Sequence, residues 1–310
     1  AASGNVGMLD IVFALEWIRD NIENFGGDPN SVTIIGQSGG GGKVCTTTGM
    51  PSAKGLFHKA VALSGNSLGG ANKENSEKLG AYILKEAGLS ASQIDKLQDM
   101  PWRDYYSLAN RASQKMAQET GTRAGFSPVA DGLYIPQEPF YSGELSSDIP
   151  MIICSTVHET SPSRFDSSLE EISFDGVKEK LQERYGENTS AVVDAYAAAF
   201  PAKKPIEIWS MIISSRQGAV RTADAKSKQA APVYVAWFGW NTPMFDGRLR
   251  AFHTMDIGFW FYNTDVQISH TGGGARPRAL AAKMSDSLVQ FMKTGDHNGG
   301  GLPLWPSYTS

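Results

Sequence analysis

The run Thr33-Ile34-Ile35-Gly36-Gln37-Ser38-Gly39-Gly40 constrains this chain more than any other stretch. A β-branched, apolar segment reads as a strand, stops at Gly-x-Ser-x-Gly, and gives way to a helix-like segment. A serine in that position sits on a turn tight enough to strain its backbone, which lifts its hydroxyl clear of the sheet edge. Gly36 and Gly40 are expected where a Cβ would strike the neighbouring strand or helix. Gly-x-Ser-x-Gly alone is a short pattern, and an ordinary glycine-rich turn is its bland reading. The strand before it and the helix after it favour the reactive one.

The rest of the chain supplies a matching frame. Met8–Ile22 carries apolar residues at helical spacing and ends near Asn24-Phe25-Gly26-Gly27. Strands are predicted at Val32–Ile35, Ala60–Leu63, Ile149–Cys154 and Val233–Phe238. A helix is expected over Gly41–Met50 and an amphipathic one over Ala279–Lys293. Residues 73–118 and 166–230 read as mainly helical and are expected as insertions over the active-site edge. Alternating strands and helices imply a mainly parallel sheet with helices on both faces. With the serine turn at a strand end, this is an α/β-hydrolase pattern, expected as a catalytic domain over 1–310, which the family resemblance given below implies is partial.

Bulk properties exclude several classes. At 310 residues the chain is long enough for a large core, and 41% hydrophobic with 19% charged residues is ordinary globular composition. A net charge of −4 with no basic cluster argues against nucleic-acid binding. No apolar run reaches membrane-span length. Cys45 and Cys154 stand in apolar surroundings and read as buried free thiols; two cysteines alone make no structural zinc site. The compartment, cytoplasmic or secreted, stays open for a soluble chain.

A serine hydroxyl needs a general base within hydrogen-bond reach and a carboxylate to orient that base. In this fold the order is Ser, then Asp or Glu, then His. Of the five histidines, His58 is too close to Ser38, and His158 follows the third strand, where the acid belongs. His297, among Asp, Asn and Gly, reads as part of a solvent-exposed turn. His253, in the loop after the last strand, is favoured, with His270 as the alternative. Glu159, just past the third strand, is the favoured acid; Asp131 and Asp246 are alternatives with ordinary turn-forming roles.

Several blocks of sequence resemble the type-B carboxylesterases, the group that includes cholinesterases. They are Gly-Asn-Val-Gly-Met-Leu-Asp at 4–10, Ala14-Leu15-Glu16-Trp17-Ile18, Asn24-Phe25-Gly26-Gly27-Asp28-Pro29 and the segment from Val32 to Ser38. Leu56-Phe57-His58-Lys59-Ala60 leading to Ser64-Gly65, and Pro128-Val129-Ala130-Asp131-Gly132, resemble further blocks. The resemblance implies Ser38 as nucleophile, Glu159 as acid, His253 as base and Asp256 as the acidic residue three positions beyond it. Two departures stand out. The family's usual Gly-Glu-Ser-Ala-Gly is Gly-Gln-Ser-Gly-Gly here, and its Asp-Glu-Gly around the acid is His158-Glu159-Thr160. The resemblance also implies a Gly-rich oxyanion loop upstream of residue 1 and a further strand beyond Tyr308. The chain is thus expected to be a segment of a longer protein, with the N-terminal part cleaved or supplied as a separate chain.

The implied activity is ester hydrolysis through an acyl-enzyme, with a small-molecule ester as partner and no metal or organic cofactor required. The Gly39 N–H is the expected oxyanion donor, joined by donors from the upstream loop. Phe126, Trp209, Trp237 and Phe252 are the expected pocket lining, against a plain alternative of core packing. Two rival readings are a non-catalytic adhesion or binding relative and a lipase acting on long-chain esters.

Overall fold

A computed structural model describes residues 2–214, 216–299 and 301–310. Four strands form one fully parallel sheet in the order β1-β2-β3-β4: β1 Thr33–Gln37, β2 Lys59–Leu63, β3 Met151–Thr156 and β4 Val233–Phe238. The helices are α1 Val6–Asn21, α2 Gly39–Thr48, α3 Lys73–Glu86, α4 Trp102–Thr120, α5 Phe174–Tyr185, α6 Thr189–Ala199, α7 Pro205–Ile213, α8 Arg216–Lys226, α9 Ile257–Trp260, α10 Ile268–Thr271 and α11 Ala275–Thr294. The architecture is the α/β-hydrolase one anticipated from the strand–helix alternation.

Strand side chains alternate between two cores, as the two-residue period of a strand demands. Ala60, Ala62, Met151, Ile153 and Val233 face Met8, Val12 and Leu15 of α1, Val44 and Cys45 of α2, and Ala219 and Ala223 of α8. Val61, Leu63, Ile152, Cys154 and Tyr234 face Phe259 and Trp260 of α9 and Met284, Leu288 and Phe291 of α11. Both faces of β2 and β3 are therefore buried, which is why these strands read as unbroken apolar runs. Cys45 and Cys154 are buried free thiols, one in each core. No helix of the described residues is long and apolar enough to cross a membrane.

Two satellite cores lie off the sheet. Leu79 and Ile83 of α3 pack with Leu108, Ala112 and Met116 of α4. Val177, Leu181, Val193, Ile208 and Met211 join α5, α6 and α7. One expectation fails in the C-terminal region. His297 is 1% exposed, not on a solvent-facing turn. Its ring lies 3.9 Å from that of Trp305 and 4.3 Å from that of Tyr234, and its Nε2 is 3.0 Å from the Trp305 carbonyl.

Candidate active site

The serine turn is built by close backbone packing. Ser38 has φ 57° and ψ −123°, a conformation that costs a non-glycine residue about 1–3 kcal/mol. It is held from both sides. The Ser38 N–H donates to Leu63 O at 2.8 Å, and the Gly42 N–H donates to Ser38 O at 3.1 Å. A Cβ on Gly36 would strike the Gly40 and Gly41 backbone, so that glycine is required. Gly40 has open space around the position of a Cβ, so the second glycine of the motif is not needed sterically, contrary to expectation. Gly65, in the turn after β2, meets the elbow instead: a Cβ there would overlap the Ser38 carbonyl. Gly39 opens α2, where first-turn N–H groups have no intrahelical acceptor.

Glu159 lies just beyond the end of β3 and is 8% exposed. Its Oε1 accepts from the Thr156 N–H at 2.7 Å and from Ser64 Oγ at 2.6 Å. Its Oε2 is 2.5 Å from His253 Nδ1, and the His253 N–H donates to the Glu159 carbonyl at 3.1 Å. Burial by itself would raise the Glu159 carboxyl. The hydrogen bonds from His253, Ser64 and Thr156 outweigh it and hold the group below its ordinary range. The same bond to Glu159 raises the His253 imidazole against the lowering effect of burial. The two directions agree: the site favours an ionised carboxylate facing a readily protonated imidazole.

The other imidazole nitrogen, Nε2, is 3.1 Å from the Gln37 side-chain amide. With Nδ1–H donating to Glu159, Nε2 is the acceptor and the Gln37 NH2 the donor. Among the described residues the Ser38 hydroxyl forms no hydrogen bond. Asp256, three residues past His253, is fully buried; its Oδ2 accepts from Trp260 Nε1 at 3.2 Å and its Oδ1 has no partner among the described residues. Desolvation pushes its pKa up to about 6.

The alternatives have different surroundings. Asp131 Oδ1 accepts from the N–H groups of Leu133, Tyr134 and Ile135, and its Oδ2 accepts from Asn5, a turn-building role. Asp246 sits in a short 3-10 turn at φ 56°. His270 shares the cavity with His253 but has no carboxylate partner among the described residues; its ring lies 5.6 Å from that of Phe252. His58 Nδ1 accepts from the Val32 N–H.

A cavity of about 1140 Å³ opens beside His253 and Glu159. Of the four aromatics expected to line it, only Phe252 does. Phe126 lines a separate hollow beside α1 and α3, and Trp237 lines another with Trp240 and Trp305. Trp209 packs into the α5–α7 core. The 166–230 insertion contributes Arg184, Ile213, Ser214, Gln217, Gly218 and Arg221 to the cavity wall, whereas no residue of 73–118 lines it. Ser64 and Gln37 acquire their site contacts through neighbours distant in sequence. The one local signal for Ser64 is that it ends a strand directly before a glycine.

The carboxylesterase family model matches residues 1–310. The chain belongs to the carboxylesterase family. Phenmedipham hydrolase of Pseudarthrobacter oxydans is 29% identical over 98% of this chain and 62% of its own length. Human carboxylesterase 5A is 30% identical over 99% of this chain and 56% of its own. Among solved structures, an esterase of Clostridium hathewayi described as hydrolysing aliphatic aromatic polyesters superposes with a TM-score of 0.78 at 30% identity, over 100% of this chain and 62% of that one. A carboxylesterase of Geobacillus stearothermophilus gives 0.75 at 30% identity, over 100% of this chain and 64% of that one. This carboxylesterase-family chain thus spans less than two thirds of the length of each of these relatives.

Proposed function

We propose that the chain carries the nucleophile, base and acid of a carboxylic ester hydrolase. Ser38 Oγ attacks the ester carbonyl, and His253 Nε2 takes its proton. The imidazolium then protonates the departing alcohol, leaving an acyl-Ser38 ester. Water, deprotonated by the same imidazole, releases the acid and restores Ser38. Glu159 fixes the Nδ1–H tautomer and stabilises the imidazolium. The Gly39 N–H, at the open start of α2, is one oxyanion donor. For the proton transfer to run, the Gln37 amide must give up Nε2 to the serine or to the leaving oxygen.

The observation that carries this reading is the His253–Glu159 contact at 2.5 Å, reinforced by Ser64 and the Thr156 N–H, at the same sheet edge as the strained Ser38 turn. An imidazole so held serves a nucleophile; a binding surface has no use for it. Residues 166–230 act as a cap over the cavity within the same catalytic domain, and the partner is a small-molecule ester. The test is hydrolysis of a short para-nitrophenyl ester together with labelling by a fluorophosphonate. Both are expected for the native sequence and neither for Ser38→Ala. Equal labelling in the two proteins would refute Ser38 as the nucleophile.

A further inference from the structure

The cavity beside His253 is lined by three arginines from three different elements: Arg164 from the 3-10 turn Pro162–Arg164, Arg184 from the last turn of α5, and Arg221 from α8. Among the described residues its only lining carboxylate is Glu159, which is already engaged by His253, Ser64 and the Thr156 N–H. None of the three arginines has an acidic partner within 4.0 Å among the described residues. Neighbouring guanidiniums behave differently. Arg250 pairs with Glu170 at 2.6 Å, and Arg248 donates to the Ser163 carbonyl. Two of the three cavity arginines lie over adjacent rings, Arg164 above Phe165 at 5.0 Å and Arg184 above Tyr185 at 5.3 Å. Stacking of this kind limits the directions in which a guanidinium swings and leaves its N–H fork free.

All three residues are exposed, and their permanent positive charges lining one concavity raise its local potential, which favours an anionic ligand over a neutral one. The concentration is notable in a chain whose net charge is −4. We propose that the ester this site hydrolyses carries its own oxyanion, a carboxylate or phosphate, which the Arg164–Arg184–Arg221 wall binds while the ester carbonyl reaches past His253, which lines the cavity, to Ser38, which does not. A monoester of a dicarboxylic acid has this chemistry. The inference rests on the ester-hydrolase reading of Ser38, Glu159 and His253, and adds the charge of the substrate. The arginines act on binding and selectivity; they take no part in bond making.

The test uses the full chain and two matched substrates, the mono-para-nitrophenyl ester of glutaric acid and para-nitrophenyl pentanoate, which differ chiefly in the terminal carboxylate. The anionic ester is expected to show a kcat/KM at least about tenfold higher, carried by KM, since a charge-assisted hydrogen bond commonly contributes that much. Raising the salt concentration is expected to shrink the preference. Arg184→Gln and Arg221→Gln, singly and combined with Arg164→Gln, are expected to lower kcat/KM for the anionic ester by a much larger factor than for the pentanoate, so that the ratio of the two falls toward one. Arg→Lys versions, which keep charge but lose the planar fork, are expected to retain part of it and guard against misfolding of the glutamine variants. Competition by glutarate against competition by inorganic phosphate distinguishes the two kinds of oxyanion.

A second arm separates this inference from the hydrolase reading: calorimetric binding of the glutarate monoester to Ser38→Ala, with and without the arginine substitutions. Arginine-dependent binding with no hydrolysis by the parent protein overturns the hydrolase reading and supports the anion site. Hydrolysis of the neutral ester with equal or better efficiency, or a preference that survives the triple substitution, overturns the anion site and leaves the hydrolase reading standing.

Discussion

The two ring nitrogens of His253 face opposite kinds of neighbour, a carboxylate at Nδ1 and a neutral amide at Nε2, and this asymmetry governs its titration. Glu159 raises the imidazole, so the acidic limb of kcat/KM, where the base must become neutral, is expected above about 6.5, the ordinary histidine value. Glu159→Gln removes the carboxylate. It is expected to lower that midpoint and to reduce kcat by about 10³–10⁴-fold, read from pH profiles of both proteins. Gln37→Glu is expected to act the other way. A carboxylate next to Nε2 stabilises the imidazolium, so the limb should move to higher pH. An unchanged midpoint would show that Gln37 does not touch the ring in solution. At this scale the contact between Glu159 and His253 and the tight turn at Ser38 were legible, because chemistry restricts residue type and chain order there. The sequence was uninformative where a role depends on which distant groups arrive. His297 has polar neighbours in sequence, yet Tyr234 and Trp305 bury it, and nothing near Gln37 in the chain announces His253.

At the level of elements, the turn after β2 matters as much as the motif after β1. Gly65→Ala would press a methyl into the Ser38 carbonyl. It is expected to destabilise the protein by about 1–3 kcal/mol and to remove esterase activity, whereas Gly40→Ala should be tolerated in both assays. The start of α9 carries a different cost. Asp256 has a folded pKa of about 6 against an ordinary 3.8, so between those values the native state holds a proton that the unfolded chain has lost. Stability therefore falls as pH rises through that window, and the penalty is complete above it. Asp256→Asn is expected to melt higher than the parent at about pH 8, by an amount on the order of 3 kcal/mol, with the advantage gone near about pH 4. Strands were legible because β2 and β3 are buried on both faces and so are uniformly apolar. The aromatic lining was not, because Trp209 and Trp237 are equally suited to a cavity wall or a core, and only packing decides.

In the whole molecule, the sheet and its two flanking cores are one body of packing, while α5, α6 and α7 share a separate cluster of their own. Among the described strand residues only Trp237 packs against that cluster, so amides of α5–α7 are expected to exchange with deuterium sooner than those of β2 and β3. Equal protection would mean that α5–α7 and the sheet open together. The layered plan followed from the alternation of strands and helices, but the size of the cavity and the charge of its wall did not. Arg164, Arg184 and Arg221 are scattered in the chain and line one cavity only because α5, α8 and the Pro162–Arg164 turn are brought around it. The parallel sheet has one more consequence. Gln37 and His253, 216 positions apart, touch only when all four strands lie in register, because Ser38, Ser64, Glu159 and His253 each follow a different strand. A nascent or half-refolded chain therefore lacks these contacts, and on the proposed reading Ser38 stays inert until β4 has docked beside β3.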